Sequence, residues 1–385
     1  MIYRELGKTG MRAGVIGLGA EHLDQKPYAR VEETVRAALE QGVNLMDCFM
    51  PGAEIRRNIG KALGKDRSKV LIQGHICSVD IGRQYDISRN LSVCETYFEN
   101  LLRELGTDYV DLGMLFFVDS PEDFRDVFHG GIIDYAERLK RQGKIRAIGA
   151  SSHNPETAAR MAESGRIELL MFSVNPAFDM TPAHVNVLDA LHAPEKSFST
   201  ESFDGIDPAR AALYRLCAAE NIPITVMKAF GSGKLLSAAH TPFARPMTPV
   251  QCIHYALTRP GVASVLVGCQ SRAEVLEAVR YTSATEAERD YSAVVQSFEQ
   301  DFHGACMYCN HCLPCPAGID VAAVTRCLDV ALTSRGDIPP RIAEQYAAFP
   351  ARGSDCVACG SCEARCPFSV KIIDNMRRAA EVFSV

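Results

Sequence analysis

The stretch that decides the fold is Val93-Cys-Glu-Thr-Tyr-Phe-Glu-Asn-Leu-Leu-Arg-Glu-Leu-Gly-Thr-Asp-Tyr-Val-Asp-Leu-Gly-Met-Leu-Phe-Phe117. Its first part, Val93–Leu105, repeats apolar residues with the period of a helix, and Gly106 is a typical C-terminal stop. Its second part, Val110–Phe117, is a nearly continuous apolar run, typical of a strand buried on both faces. The stretch therefore predicts one helix–strand unit of a parallel sheet.

The same alternation of apolar runs and amphipathic segments extends from residue 15 to about residue 282. The other predicted strands are Val15–Ala20, Val43–Phe49, Val70–Ile76, Ile145–Ser151, Leu169–Asn175, Ile222–Phe230 and Ser264–Cys269. Val31–Gln41 has helical periodicity, and a glycine follows several of the predicted helices, at positions 42, 64, 143 and 165. Eight strand–helix units in series predict an α/β protein with a (β/α)8 TIM barrel. A doubly wound open sheet is the alternative, because periodicity cannot show closure.

The rest of the chain is arranged around this barrel. Arg4–Arg12, with Gly7 and Gly10, predicts a hairpin that plugs the lower end of the barrel. Phe178–Gly205 is a long polar insertion, interpreted as a lid. Glu286–Phe302 predicts a linker helix. The predicted domains are thus a barrel over residues 1–285, a linker over 286–305 and a small, mostly helical domain over 306–385.

Two cysteine runs stand out in the last predicted domain. They read Cys306-Met-Tyr-Cys-Asn-His-Cys-Leu-Pro-Cys-Pro316 and Cys356-Val-Ala-Cys-Gly-Ser-Cys-Glu-Ala-Arg-Cys-Pro367. Three thiolates on one loop, with a fourth before proline serving the other cluster, indicate two [4Fe–4S] clusters. The first predicted ligand set is Cys306, Cys309, Cys312 and Cys366, and the second is Cys356, Cys359, Cys362 and Cys315. In the first run two residues rather than three separate the last two cysteines. A pair of four-cysteine zinc sites is the alternative.

Two further segments between the cysteine runs, Val321–Leu332 and Ile342–Phe349, predict helices. Their presence makes the spacing too wide for a minimal bacterial ferredoxin. The sequence therefore predicts a more helical module carrying the two clusters.

Composition and charge exclude several function classes. The chain has 385 residues and a formal net charge of −6, so nothing indicates a general affinity for nucleic acid or an anionic membrane. No apolar run approaches the roughly 20 residues that span a bilayer. The N-terminus lacks the apolar core of a secretory signal, and the seven cysteines outside the two runs are scattered. We expect a cytoplasmic protein.

Candidate chemistry lies where the predicted strands end, because barrel enzymes place their sites there. These positions hold Asp47, Cys48, His75, Cys77, Phe116, Phe117, Asp119, Ser151, Ser152, His153, Asn154, Asn175, Lys228, Gly268 and Cys269. Asp47 and His75 are the candidate catalytic residues, since His titrates near neutral pH and can act as a general acid. Either residue could instead be a hydrogen-bonded structural group. Cys48 and Cys77 are candidate nucleophiles or redox groups, or simply buried thiols.

Several segments resemble the aldo/keto reductase family. They are Arg4–Gly10, Gly42–Asp47, Ile59–Leu63, Asp108–Leu112, Ile148–His153 and Pro260–Ser264. The resemblance covers the chain to about residue 282, and the added tail resembles the iron–sulfur branch of the family. It implies a (β/α)8 barrel, usually NADP(H), and hydride transfer to a carbonyl by an Asp, a Tyr acid, a Lys and a His.

This chain departs from that catalytic set at three of its four positions. Asp47 matches the family Asp. The Tyr position is Gly52, the Lys position is His75 and the His position is Phe116. The usual proton donor is therefore lost.

The resemblance also indicates where a cofactor would bind, and here too the match is weakened. The implied residues are Ser151, Asn175, Lys228, Gly268, Ser271 and Arg272. Glu274 stands where the family often has Arg, with Arg272 as the substitute phosphate clamp. Ala278 follows Glu277 in place of the family's Asn, and Met227 replaces an aromatic residue. A phosphorylated substrate or a flavin could use the same helix N-terminus.

Three functions remain open from the sequence. The first is a redox enzyme that passes electrons between the clusters and a small molecule in the barrel mouth, served by an electron-donor protein. The second is a non-catalytic electron carrier or assembly subunit. The third is an NADPH-dependent carbonyl reductase with His75 as the acid and structural clusters.

Overall fold

The computed structural model describes residues 1–82, 85–188, 206–296, 304, 306–334 and 337–384. The chain divides into two compact units. The barrel unit comprises Met1–Ser173, Ile222–Ala229 and Ala263–Ser283. The tail unit comprises Val174–Asn221, Phe230–Val262 and Ala284–Val385.

Eight parallel strands form a closed barrel, and this excludes the open sheet. The strands of the chain, hairpins included, are β1 Tyr3–Glu5, β2 Arg12–Gly14, β3 Ile16–Gly19, β4 Leu45–Cys48, β5 Leu71–Ile76, β6 Ser78–Val79, β7 Asp86–Ile87, β8 Val110–Leu115, β9 Ile145–Ser152, β10 Leu169–Ser173, β11 Ile224–Met227 and β12 Val262–Gly268. The order around the barrel is β10-β11-β12-β3-β4-β5-β8-β9. Each barrel strand lies within or beside a predicted apolar run, and every residue of β8 is buried, as a strand covered on both faces requires.

The predicted N-terminal hairpin is confirmed. β1 pairs antiparallel with β2. Leu6, Met11 and Ala13 of the hairpin are buried in one apolar cluster with barrel residues that include Leu45 and Leu112. The hairpin therefore closes the end of the barrel where its strands begin, and leaves the opposite end for chemistry.

Helices follow the strands along the chain. They are α1 Tyr28–Glu40, α2 Ala53–Leu63, α3 Leu91–Leu105, α4 Pro121–Phe128, α5 Ile132–Arg141, α6 Pro155–Glu163, α7 Pro176–Asp179, α8 Pro208–Ala219, α9 Pro249–Thr258, α10 Arg272–Val279, α11 Glu286–Arg289, α12 Ser292–Val295, α13 Val321–Thr333, α14 Pro340–Ala347, α15 Ser361–Arg365 and α16 Ile372–Phe383. Gly106 ends α3 in a left-handed conformation, with φ of 66°. At Gly60 a Cβ would lie 2.2 Å from the carbonyl oxygen of Leu105, so only glycine lets α2 approach the end of α3.

In the tail unit, α13 packs against α8, α14 and α16. The two helices predicted between the cysteine runs are confirmed. Much of the predicted lid, 178–205, lies outside the described residues. No helix among the described residues is long and apolar enough to cross a membrane.

The single linker helix predicted over Glu286–Phe302 is wrong within its described part. The chain instead forms α11 and α12, separated at Asp290 and Tyr291. The Asp290 side chain accepts a hydrogen bond from the backbone N–H of Ser292 at 2.8 Å and contacts His311 Nδ1 at 2.7 Å. An Asp side chain that accepts a hydrogen bond from the backbone two residues ahead gives the chain an alternative to the helical hydrogen bonds. The helix is therefore interrupted at Asp290.

Candidate functional site

Asp47 and His75 form a buried pair at the open end of the barrel. They lie on the neighbouring strands β4 and β5, near the carboxyl end of each. His75 Nε2 is 2.7 Å from Asp47 Oδ1. Gln73 Nε2 donates to the same carboxylate oxygen at 2.9 Å. His75, which stands at the Lys position of the implied catalytic set, thus contacts the Asp47 carboxylate. Gln73 is a further member of the site, and the sequence analysis did not identify it.

His75 keeps one ring nitrogen free for chemistry. Its Nδ1 is buried and has no hydrogen-bond partner among the described residues. When Nε2–H donates to Asp47, the neutral ring carries its lone pair on Nδ1 and can accept a proton there; the protonated ring can deliver one. The pair has the geometry of an acid–base group whose ring is oriented by a carboxylate.

Aromatic rings surround this pair. Phe116 meets the His75 ring edge-on at 5.2 Å, and Phe49 stacks on Phe116 at 5.5 Å. Tyr85 lies edge-on to both phenylalanines, at 5.2 and 5.8 Å. Burial, with the nearby Glu21 carboxylate, raises the pKa of Tyr85. Sequence counting from Gly52 could not find this tyrosine, because it reaches the rings from the β6–β7 hairpin rather than from a strand end.

Gly52 offers no replacement for the missing tyrosine hydroxyl. It is the residue that precedes α2, with φ of −60°. Its nearest neighbours, Asp24 and Ile55, would lie at an ordinary 3.6 Å from an added Cβ. The position therefore has room for a side chain. Crowding does not explain why it holds a glycine.

A second polar group follows β8 and β9. His153 Nδ1 contacts Asp119 Oδ2 at 2.9 Å, and Ser152 Oγ donates to Asp119 Oδ1 at 3.0 Å. Burial raises the pKa of Asp119, but the charge and hydrogen bonds of His153 and Ser152 outweigh it, so the pKa is lowered. Ser151, an expected cofactor contact, has its Oγ accepting from the backbone N–H of Phe117 at 2.8 Å. These hydrogen bonds connect the loop after β8 to the end of β9 at the open end of the barrel.

The helix N-terminus expected to bind a phosphate is already occupied by a carboxylate of the chain. Ser271 Oγ accepts from the Glu274 N–H at 3.3 Å, and Glu274 Oε2 accepts from the Gln270 N–H at 2.7 Å. The expected clamp, Arg272, is paired with Glu40 at 2.7 Å. The His22 ring covers Gly268, where a Cβ would lie 2.3 Å from it. These residues do not fit the phosphate end of NADP(H).

The remaining expected cofactor residues, Lys228 and Asn175, belong to different units of the chain. Lys228 Nζ lies 3.8 Å from Glu21 Oε2 in the barrel unit. Asn175 belongs to the tail unit, where its Oδ1 accepts from the backbone N–H of Phe178 at 2.9 Å and begins α7. Asn175 therefore has a structural task of its own.

The barrel cysteines are buried. Burial raises the pKa of Cys48 to about 12, which keeps its thiol protonated and unreactive at neutral pH. Cys77 Sγ lies 3.6 Å from Cys94 Sγ, and the latter also donates to Ser88 O at 3.2 Å. Sequence spacing gave no sign that Cys77 has a thiol partner.

A cavity of about 340 Å³, its open mouth included, lies beside the second cysteine run. It is lined by four cysteines, Cys315 from the first run and Cys356, Cys359 and Cys362 from the second. The rest of its wall is largely apolar and includes Ile319, Val321, Ile372 and Met376. This grouping matches the crosswise ligand set derived from the sequence. Four sulfurs around an apolar space fit a [4Fe–4S] cluster.

The two cysteine runs share an unusual backbone. In the first, Tyr308 and Asn310 on either side of Cys309 have φ of 54° and 64°. In the second, Ala358 and Gly360 on either side of Cys359 have φ of 52° and 75°. Alternating left-handed residues turn successive backbone N–H groups toward one concavity, a nest of the kind that binds iron–sulfur clusters.

Cys309 and Cys312 of the first run are buried, and backbone N–H groups face the sulfur of Cys309. Burial raises the pKa of Cys309 to about 11, while the N–H of His311 and other backbone donors act in the opposite direction. The thiol of Cys366 lies close enough to perturb both Cys309 and Cys312. Arg365 joins the two runs by donating to Cys312 O at 2.6 Å and Pro314 O at 2.7 Å. Cys366 therefore lies near Cys309 and Cys312, and Cys362 of the second run also lies near Cys312.

In the part of the chain that the structure describes, no three His, Cys, Asp or Glu side chains converge closely enough to hold a single metal ion. Four of the eight cysteines of the two runs, Cys315, Cys356, Cys359 and Cys362, instead line the cavity described above.

Comparisons with known proteins agree with the barrel. Residues 15–188 match the model of the aldo/keto reductase family. The aldo-keto reductase YhdN of Bacillus subtilis (strain 168) is 30% identical over 166 residues, which are 40% of this chain and 48% of that protein. The chain thus spans about half the length of this relative. The holo form of aldo-keto reductase AKR11C1 from Bacillus halodurans has the same fold, with a TM-score of 0.59 and 20% identity over 77% of this chain and 96% of that one.

Proposed function

We propose, on the premise that residues 15–188 match the aldo/keto reductase family, that this chain is an iron–sulfur oxidoreductase of that type. Its barrel acts on a small molecule through Asp47 and His75. Its tail holds two [4Fe–4S] clusters, and electrons pass between them and the small molecule. An electron-donor protein serves the clusters.

The cavity lined by four cysteines carries the proposal. Cys315 comes from one run and Cys356, Cys359 and Cys362 come from the other, and a fold that merely buried its cysteines would not bring them to one apolar space. Cys306, Cys309, Cys312 and Cys366 form the other ligand set. When bound, such clusters exchange single electrons with a partner.

The barrel's own residues manage protons. Asp47 holds the His75 ring through Nε2, and Nδ1 delivers or accepts the proton of the reaction. Phe49 and Phe116 pack against the His75 ring and exclude water from it, which strengthens the interaction of Nε2 with the Asp47 carboxylate. Removing a general acid or base of this kind costs roughly 10²–10⁴ in rate.

Two features of the barrel weigh against the alternative of ordinary NADPH-driven carbonyl reduction. Gly52 replaces the tyrosine acid, and Glu274 fills the helix N-terminus that would receive a phosphate. A carboxylate at that position repels an anionic ligand. The NADP(H) implied by the family is therefore not part of the proposal. A non-catalytic carrier would keep its full electron-transfer activity when His75 is replaced by Gln, whereas the proposed enzyme would lose turnover.

The test is anaerobic purification of the full chain, with iron, sulfide and zinc analysis. We expect about eight iron atoms per chain, because two [4Fe–4S] clusters hold four irons each. Cys306→Ser and Cys356→Ser should each remove one cluster preferentially. Cys217→Ser, a buried cysteine in α8 outside both ligand sets, is the matched control and should keep both. Stoichiometric zinc without iron would overturn the proposal, as would full iron in both ligand variants.

A further inference from the structure

Arg259 is a fully buried cation in the tail unit, at the end of α9. It is 1% exposed. Its Nη2 donates to Tyr291 Oη at 2.9 Å and to Thr258 Oγ1 at 3.1 Å, and its Nε donates to the carbonyl oxygen of Tyr255 at 3.2 Å. All of these partners are neutral. Among the described residues no carboxylate lies within ion-pair distance of Arg259.

The fourth partner of Arg259 belongs to the first cysteine run. Nη2 also donates to the carbonyl oxygen of Met307, which lies between Cys306 and Cys309. Tyr291 Oη donates to the same carbonyl at 2.7 Å. The guanidinium also lies over the ring of Tyr308, 5.0 Å from its centroid. Arg259 is thus fixed to the loop that supplies the first ligand set.

The guanidinium has an unused donor. Nη1 is buried and has no hydrogen-bond partner among the described residues. A buried donor that lacks an acceptor destabilises the fold, and the cost is larger for a charged group. A buried charge without a counter-charge costs more still. The arrangement therefore indicates a missing acceptor that carries negative charge.

Asp179 is a buried carboxylate of the same unit, but it does not supply that counter-charge directly. Asp179 accepts from Tyr255 Oη at 2.8 Å and from Tyr214 Oη. It has its own cation in Arg210, with Nη1 at 3.5 Å.

We propose that Arg259 is the counter-charge of the cluster held by Cys306, Cys309, Cys312 and Cys366, and that it raises the reduction potential of that cluster. The inference rests on the proposed function. Four thiolates give the cluster a net negative charge, and reduction adds another. A fixed buried cation stabilises the reduced state more than the oxidised one. Charge and hydrogen bonding near the sulfurs are among the factors that set cluster potentials.

The test is a redox titration of the anaerobically reconstituted full chain, followed by electron paramagnetic resonance. Arg259→Gln removes the charge but keeps an N–H donor for the Met307 carbonyl, whereas Arg259→Lys keeps the charge. Arg326→Gln is the matched control, because Arg326 Nη1 donates to Thr258 O at 3.1 Å rather than to a cysteine run. Cys356→Ser, which lacks the other cluster, identifies the signal that belongs to the first.

We expect Arg259→Gln to make the first cluster at least tenfold harder to reduce, a fall of ~59 mV for a one-electron couple. Arg259→Lys should shift it less, and Arg326→Gln should leave both potentials unchanged. Equal shifts in the Gln and Lys variants, or no shift in either, would overturn the inference. If only the Gln variant fails to retain the first cluster, the counter-charge role is supported. If both variants fail, the role is merely structural and the inference is wrong. Absence of iron in the unmodified protein would instead refute the proposed function.

Discussion

The His75 ring is held against the Asp47 carboxylate, Nε2 to Oδ1 at 2.7 Å, with both side chains at most 3% exposed. Two ionisable groups this close and this buried depend on each other. Removing one leaves the other without its partner in a medium that solvates it poorly. The pair is therefore the part of the barrel mouth that responds most to substitution.

His75→Leu leaves the Asp47 carboxylate buried, with Gln73 as its one remaining side-chain donor among the described residues. We expect the free energy of unfolding to fall by about 3–5 kcal/mol, as for other broken buried pairs. The double variant Asp47→Leu with His75→Leu should recover much of that loss, because it removes both partners. Urea unfolding of the three proteins measures this. A double variant no more stable than His75→Leu would show that the pair is not coupled.

Ordinary aldehyde reduction with NADPH should be very weak. The chain lacks the tyrosine acid, and loss of a general acid alone costs about 10²–10⁴ in rate. Steady-state assays with simple aldehydes test this expectation. Turnover at the rate of a good aldo/keto reductase would show that His75 or Tyr85 replaces the missing tyrosine as the proton donor. Loss of that turnover in Tyr85→Phe would then identify Tyr85, and its retention would identify His75.

Glu274→Gln should improve the binding of NADP+. The substitution removes a negative charge from the N-terminus of α10, where such a charge is worth ~0.3–1 kcal/mol, and so should tighten binding about two- to fivefold. Glu277→Gln, on the same helix, removes the same charge beyond the first turn and is the control. Calorimetric titration gives both dissociation constants. Equal changes in the two variants would show that Glu274 does not block the site.

Asp119→Asn should destabilise the barrel at neutral pH but not in acid. The folded pKa of Asp119 is lowered, so its stabilising effect is present above the ordinary Asp pKa of ~3.9 and is lost as the pH falls through the folded value. Unfolding midpoints of the two proteins should therefore converge below about pH 4. A difference that stays constant down to pH 3 would assign the effect to packing rather than to charge.

Reduced clusters should be oxidised when the true substrate is added under anaerobic conditions. Cluster-free protein, shown to be folded by circular dichroism, should be inactive, because the barrel lacks its own reductant. His75→Gln should retain cluster reduction but lose turnover, which a pure electron carrier would not. Cluster-free protein that turns over at the full rate with NADPH alone would make the clusters structural.

The barrel was predictable from the sequence because its strands are local apolar runs, and runs such as Val110–Phe117 need no tertiary information. The cysteine assignments rested on spacing, which is also local. The failure at Glu286–Phe302 came from one side chain, since Asp290 turns back on the backbone at Ser292. Ser271 and Glu274 are three residues apart, which is the spacing of a helix capping box. This pattern predicts that side chains of the chain itself occupy the helix N-terminus where a phosphate would bind.

Other parts of the site could not be found this way. Tyr85 meets Phe49 and Phe116 from a hairpin, and Arg259 reaches a carbonyl 48 residues further along the chain. Neither the periodicity of apolar residues nor the spacing of motifs predicts these tertiary contacts. They follow from how elements pack once the fold exists.

The four cysteines that line the cavity come from two places far apart in the chain, Cys315 on one side and Cys356 to Cys362 on the other. The helices α13 and α14 lie between them in sequence. During synthesis the four-sulfur pocket cannot exist until Cys362 has left the ribosome and those helices have folded. A shorter nascent chain offers incomplete sets of sulfurs, which are open to oxidation and to the wrong metal. On the proposed function, iron can therefore be delivered to this pocket only after the tail has been synthesised and has folded.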